Sequence, residues 1–135
     1  MKIEYKINGG IINMERLNRV SEILNNNEYG DIGYSFSFSC GFIDAPVYGY
    51  TIYTKKGGKI KIEYTTKISL TLFKYHFDKM YTVCFYDNGG EILWRRKYYE
   101  DDCEYKFTET LFNELAHTYE IRKQSKIESD IEKYI

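Results

Sequence analysis

The sequence predicts an α+β fold: an antiparallel sheet of about five to seven strands, including two hairpins, with an N-terminal and a C-terminal helix packed on one face. Three observations predict it. Polar and apolar residues alternate with period two through the middle of the chain. The pairs Gly57-Gly58 and Gly89-Gly90 interrupt that alternation where hairpins need positive φ. Helical spacing of apolar residues is confined to stretches near the two ends, so helices and strands segregate and no regular βαβ alternation arises. A length of 135 residues fits one domain, 1–135, long enough to bury a core without staples.

Residues 2–7 place Ile3, Tyr5 and Ile7 on one side and charges on the other, a short strand that Asn8-Gly9-Gly10 ends. Asn13 is placed to cap a helix, in which Met14, Leu17, Val20 and Leu24 form the apolar stripe. Asn25-Asn26-Asn27 stops it. Tyr34, Phe36, Phe38, Cys40 and Phe42 then alternate with serines and glycine, a half-buried strand whose Phe36 and Phe38 are expected in the core. After a turn at Asp44-Ala45-Pro46, Tyr48, Tyr50 and Ile52 make a second strand. Across the Lys55-Lys56-Gly57-Gly58 loop, Ile60, Ile62 and Tyr64 make its partner.

Residues 66–77 fit either period, with strand preferred on the alternation of Ile68, Leu70 and Leu72. Tyr81, Val83 and Phe85 form another strand, and Asp87-Asn88-Gly89-Gly90 turns it onto a partner that starts with Ile92 and Trp94. Thr108 is the expected N-cap of the last helix, with Phe107 and Phe112 spaced as a hydrophobic staple. Leu111, Leu115 and Tyr119 share one stripe. Ile127 and Ile131 fall on the opposite side, so the helix either breaks near Lys123 or its end packs on something else, a partner subunit being one candidate.

Composition excludes several classes. A formal net charge of −1 is neither a generic polycation that coats nucleic acid nor an acidic nucleic-acid mimic. Three cysteines, Cys40, Cys84 and Cys103, at wide spacings and without a CxxC do not make a secreted disulfide scaffold, and a cysteine or metal enzyme is only a third option. No apolar run reaches the length of a membrane span, and the alternating start is not a signal peptide, so a cytoplasmic protein with no membrane partner is expected.

Chemistry-bearing patterns are sparse. Cys103 lies among Glu100, Asp101, Asp102 and Glu104, whose charge opposes a thiolate. Cys40 shares an aromatic strand face and reads as core, while Cys84 alternates against its strand's apolar face. Pairing either with His76 would need proximity in the fold. Glu114-Leu115-Ala116-His117 is a single Glu-x-x-His, where a di-iron bundle needs two and more carboxylates, so His117 reads as solvated. Gly9-Gly10 lacks any phosphate-loop signature, and the Glu100 cluster lacks calcium-loop spacing. No catalytic residue, cofactor or metal ligand is expected.

Two features point to binding. Fifteen tyrosines exceed what a one-sided core is expected to bury, although low-GC coding alone also enriches Tyr with Ile, Lys and Asn. Interfaces enrich Tyr, Trp and Arg. The stretch Trp94-Arg95-Arg96-Lys97-Tyr98-Tyr99 interleaves basic and aromatic residues, as either a charge-guarded edge strand or a track for a phosphate backbone. The expected partner-binding residues are Tyr48, Tyr50, Tyr53, Tyr64, Trp94, Arg95, Arg96, Tyr98 and Tyr99. The expected function is a small non-enzymatic intracellular protein that binds and inhibits another macromolecule, such as a phage anti-CRISPR-like inhibitor or a bacterial toxin-immunity protein. The alternative is a single-stranded nucleic-acid binder using Arg95, Arg96, Lys97 and nearby aromatics. A protein target is the first expected partner, with nucleic acid and a homodimer through the C-terminal helix end as the others.

Overall fold

Five strands rich in Tyr, Ile and Thr pair in chain order into one antiparallel sheet, β1-β2-β3-β4-β5. The structure, a computed structural model, describes residues 14–38 and 45–135. The expected strand over residues 2–7, its glycine stop, the Asn13 cap, Cys40, Phe42 and Asp44 lie outside the described residues. The elements are α1 (Glu15–Asn25), β1 (Tyr29–Phe38), β2 (Pro46–Thr54), β3 (Lys59–Thr71), β4 (Lys74–Tyr86), β5 (Ile92–Tyr99) and α2 (Tyr105–Glu132). This is the α+β arrangement the alternation predicts.

Helix α1 buries Leu17, Val20 and Ile23 and ends as its asparagines suggest. Asn27 takes φ 52°, and the Glu28 amide donates to the Ile23 carbonyl at 3.0 Å, a left-handed stop with asparagine in glycine's usual place. Helix α2 starts at Tyr105, before the expected cap. Thr108 sits inside its first turn, where its hydroxyl donates to the Glu104 carbonyl at 2.9 Å. The reason is burial: Tyr105 and Phe107 are both core residues, so the first turn is drawn onto the sheet.

Both helices lie on one side of the sheet, and pairing register shows which residues share that side. The row Tyr48, Tyr64, Tyr81, Tyr98 runs across β2 to β5, and the row Tyr34, Tyr50, Ile62, Val83 lies beside it. The Phe112 ring of α2 stands over these rows, 5.3–6.3 Å from the ring centroids of Tyr48, Tyr50, Tyr64 and Tyr81. Tyr119 reaches Tyr34 and Tyr50, and Arg122 stacks 4.5 Å from the Tyr29 ring while donating to the Gly30 carbonyl. Helix α2 therefore crosses from β4 to β1. Everything from Lys123 onward is exposed. No helix among the described residues is long and apolar enough to cross a membrane.

Two expectations need correction. Residues 66–77 are not one strand but most of a hairpin, because Leu72 and Phe73 turn the chain with φ 49° and 60°. Phe36 and Phe38 are exposed instead of core. They do point to the helix-bearing side, in line with buried Ile32, but α2 passes over the sheet before reaching them. The period was right, and the extent of the cover was not visible in it.

Candidate functional site

The opposite side of the sheet carries no helix among the described residues. Strand parity assigns to it Ser35 and Ser37 of β1, Thr51 and Tyr53 of β2, Lys59, Lys61, Glu63 and Lys67 of β3, Asp78, Thr82, Cys84 and Tyr86 of β4, and Arg95, Lys97 and Tyr99 of β5. Antiparallel sheets commonly leave one face in water, and such a face normally alternates polar residues outward. Here aromatic rings stand among the cations. Tyr53 and Tyr99 are exposed, and the Lys59 ammonium lies 5.1 Å from the Tyr86 ring centroid. Tyr53, Lys59, Lys61 and Tyr86 line a shallow depression of about 270 Å³ with Ser35 and Thr51. Gly49 keeps the middle of this face flat: a Cβ there would run into the Ile62 carbonyl and come 2.8 Å from the Glu63 Cα.

Charge on this face is asymmetric. Lys59, Lys61, Lys67, Arg95 and Lys97 face Glu63 and Asp78, with Asp31 at the β1 edge. Lys61 approaches Glu63 at 3.7 Å, a partly exposed pair that holds little energy. The face is thus positive in a chain whose net charge is −1. Burial, and then the neighbouring Cys84 thiol, raises the Tyr86 phenol pKa, so this ring stays neutral at ordinary pH.

The expected partner-binding residues divide between the two sides. Tyr53, Arg95 and Tyr99 are exposed on the helix-free face. Tyr50 and Tyr98 are buried under the helices, and Tyr48 and Tyr64 pack against that core. Burial raises the pKa of Tyr48 and Tyr50 and pushes Tyr98 to about 12. Trp94 is half-buried on the helix side, 5.4 Å from Phe85 and under the Arg16 guanidinium. Arg96 shares that side, its guanidinium 5.1 Å from the Tyr98 ring. The run 94–97 is therefore split by the pleat, and only Arg95 and Lys97 act on one surface. Tyr86, Lys59 and Lys61 were missed, although the alternation that follows Gly57-Gly58 places both lysines, and the alternation of Tyr81, Val83 and Phe85 places Tyr86, on the other side from the core.

Among the described residues, nucleophilic chemistry finds no assembly. Cys84, which alternates against its strand's apolar face, is nonetheless buried within the sheet. It sits eight residues from His76 on the same strand, about 26 Å at strand rise. His76 and His117 are exposed, and His117 lies on α2 across the sheet. Cys103 is exposed beside its acidic neighbours. A cavity of about 500 Å³ between the end of α1 and the β2–β3 loop is lined by Arg19, Asn26, Glu28 and Lys56 among others, with neither a thiol nor an imidazole. No group of His, Cys, Asp and Glu that could hold a metal occurs among the described residues.

No family model matches the chain, and no curated protein or solved structure matches it.

Proposed function

We propose that this chain is a small, non-catalytic, intracellular binding protein that inhibits a macromolecular target, in the manner of a phage anti-defence inhibitor or a toxin-immunity protein. Its docking surface is the helix-free sheet face. The observation that carries this reading is Tyr53 and Tyr99 standing exposed among Lys59, Lys61, Arg95 and Lys97 on a five-stranded platform. Tyr and Arg are enriched at interfaces: Tyr offers large contact area with few rotamers to freeze, and Arg a planar fork of five donors. The positive face fits an acidic protein surface, where complementarity sets encounter rate and specificity.

The test is capture from the source cell with the full chain and with a Tyr53→Ala/Arg95→Ala/Tyr99→Ala variant, followed by assay of the captured target. A protein retained by the wild type, lost by the variant and inhibited by one equivalent of chain supports the reading. Equal retention by both sinks it. Single-stranded nucleic acid is the second reading, favoured by the Lys59–Tyr86 stack beside Tyr53. Oligonucleotide affinity that falls steeply with salt would select it, whereas salt-tolerant protein capture would select the first.

A further inference from the structure

The depression on the helix-free face is lined for one kind of chemistry. Register sets Tyr53, Lys59 and Tyr86 side by side on β2, β3 and β4, with Thr51 and Lys61 on the next rung that faces the same way. Strands lie about 4.8 Å apart, so the two tyrosines flank Lys59 with their backbones about 10 Å from each other. On the β1 side, a Cβ at Gly33 would stand 3.3 Å from Cε2 of Tyr53 and 3.5 Å from its hydroxyl. Bare backbone at Gly33 therefore lets the Tyr53 ring lean over β1, away from β3.

The side chains of this face that border the space all offer protons. Lys59 and Lys61 are donors only, and Ser35, Thr51, Tyr53 and Tyr86 bring hydroxyls. Among the described residues no carboxylate lines it. Burial keeps the Tyr86 phenol protonated, so it remains a donor beside Lys59. Lys61 meets Glu63 at 3.7 Å from the next rung, whereas Lys59 has no ion pair among the described residues and rests its ammonium over the Tyr86 ring.

Size narrows the ligand. Pockets that enclose a drug-sized molecule run from about 300 to 1,000 Å³. At about 270 Å³, this one takes a single side chain. Cations and hydroxyls select an oxyanion, and rings on both sides of Lys59 select one that arrives on an apolar stem able to cover them. Glutamate has both parts. Along β3 the cations end at Glu63, two residues past Lys61, so the strand presents one anion-binding spot and not a continuous track for a polyanion.

We propose that the depression between Tyr53 and Tyr86 seats one glutamate side chain of the protein target, its methylenes between the two rings and its carboxylate on the Lys59 and Lys61 ammonium groups. This inference rests on the reading of the helix-free face as the docking surface and adds which group of the target is held there. The carboxylate gains charge-assisted hydrogen bonds while the rings exclude water around it, as at the anchor of an interface.

The test is an NMR titration of the isotope-labelled full chain with N-acetylglutamate methylamide as the probe. Backbone resonances of Tyr53, Lys59, Lys61 and Tyr86 should shift together and saturate, and the uncharged glutamine analogue should bind at least about tenfold more weakly. Lys59→Gln/Lys61→Gln should lose a similar factor with its circular dichroism unchanged. Gly33→Val, which leaves both lysines in place, should weaken binding severalfold by displacing the Tyr53 ring. An analogue that binds as well as the acid overturns the proposal, as do shifts that spread over the face without saturating. Inorganic phosphate that binds the same residues more tightly than the probe overturns it in favour of nucleic acid. Capture from the source cell separates this failure from that of the docking reading. A target retained by Lys59→Gln/Lys61→Gln but lost by Tyr53→Ala/Arg95→Ala/Tyr99→Ala overturns the glutamate seat and leaves the docking face standing. Equal retention by wild type and both variants sinks the face itself.

Discussion

Tyr98 shows what a ring costs when only its body belongs in the core. It is fully buried at 0% exposure, and its hydroxyl has no hydrogen-bond partner among the described residues. A buried unsatisfied hydroxyl costs about 1–3 kcal/mol, and removing it at constant shape is close to neutral or favourable. Tyr98→Phe should therefore keep or raise stability by up to about 1 kcal/mol. A loss beyond about 1 kcal/mol in chemical denaturation would mean that the hydroxyl has a hydrogen-bond partner in the folded chain. Truncation separates the core from the exposed end of β1 in the same assay. Ile62→Ala, at 0% exposure beneath α2, should cost about 2–5 kcal/mol through lost contacts and the cavity left behind. Phe36→Ala, at 53% exposure, should cost under about 1 kcal/mol in dilute solution. Equal costs would mean that Phe36 is packed within the folded chain.

At the scale of elements, the β3–β4 turn stands out. Leu72 and Phe73 both have positive φ, as a two-residue hairpin of the primed type requires, and both side chains are fully exposed. Bulky residues in that region carry strain of about 1–2 kcal/mol each relative to glycine or asparagine. Leu72→Asn/Phe73→Gly should raise thermal stability without altering the sheet. A lower melting temperature would show that the tip packs on something in the folded chain.

This turn also explains how much of the fold was legible. The loops carrying Gly57-Gly58 and Gly89-Gly90 announced themselves, because glycine is the residue that positive φ selects. Leu72-Phe73 carries no such mark, so a hairpin read as one strand. Period two likewise assigned Phe36 and Phe38 to the correct side. How far a helix covers that side depends on where α2 crosses, which is set by Phe112 and Tyr119 meeting rings from four strands. Non-local contacts of this kind leave no local period. The helix-free face was half legible: Tyr53 came from the tyrosine excess and Arg95 and Tyr99 from the basic-aromatic run, while alternation gave the side of Lys59, Lys61 and Tyr86 and only the register brought them together.

Across the whole molecule, the tyrosines form a network that ties sheet to helix and must remain neutral to do so. Burial pushes the Tyr98 and Tyr105 phenols up to about 12 and raises Tyr81 further, while a phenol in the unfolded chain ionises near 10.0. The folded state thus holds its phenolic protons more tightly than the unfolded state. Stability from this source is fully present below about 10 and is lost as pH rises through the folded values near 12. The melting temperature should stay flat through neutral pH and then fall across that alkaline window, with tyrosinate absorbance appearing together with loss of helix. Since Tyr81 and Tyr105 are in ring contact at 5.2 Å and Tyr98 is the β5 partner of Tyr81, ionising any one disrupts the contact of α2 with β4 and β5. The transition should therefore be cooperative and not a series of separate titrations. Gradual ionisation of every phenol near its unfolded value, with the melting temperature unmoved, would mean that these rings are reached by water and that the interior is built differently.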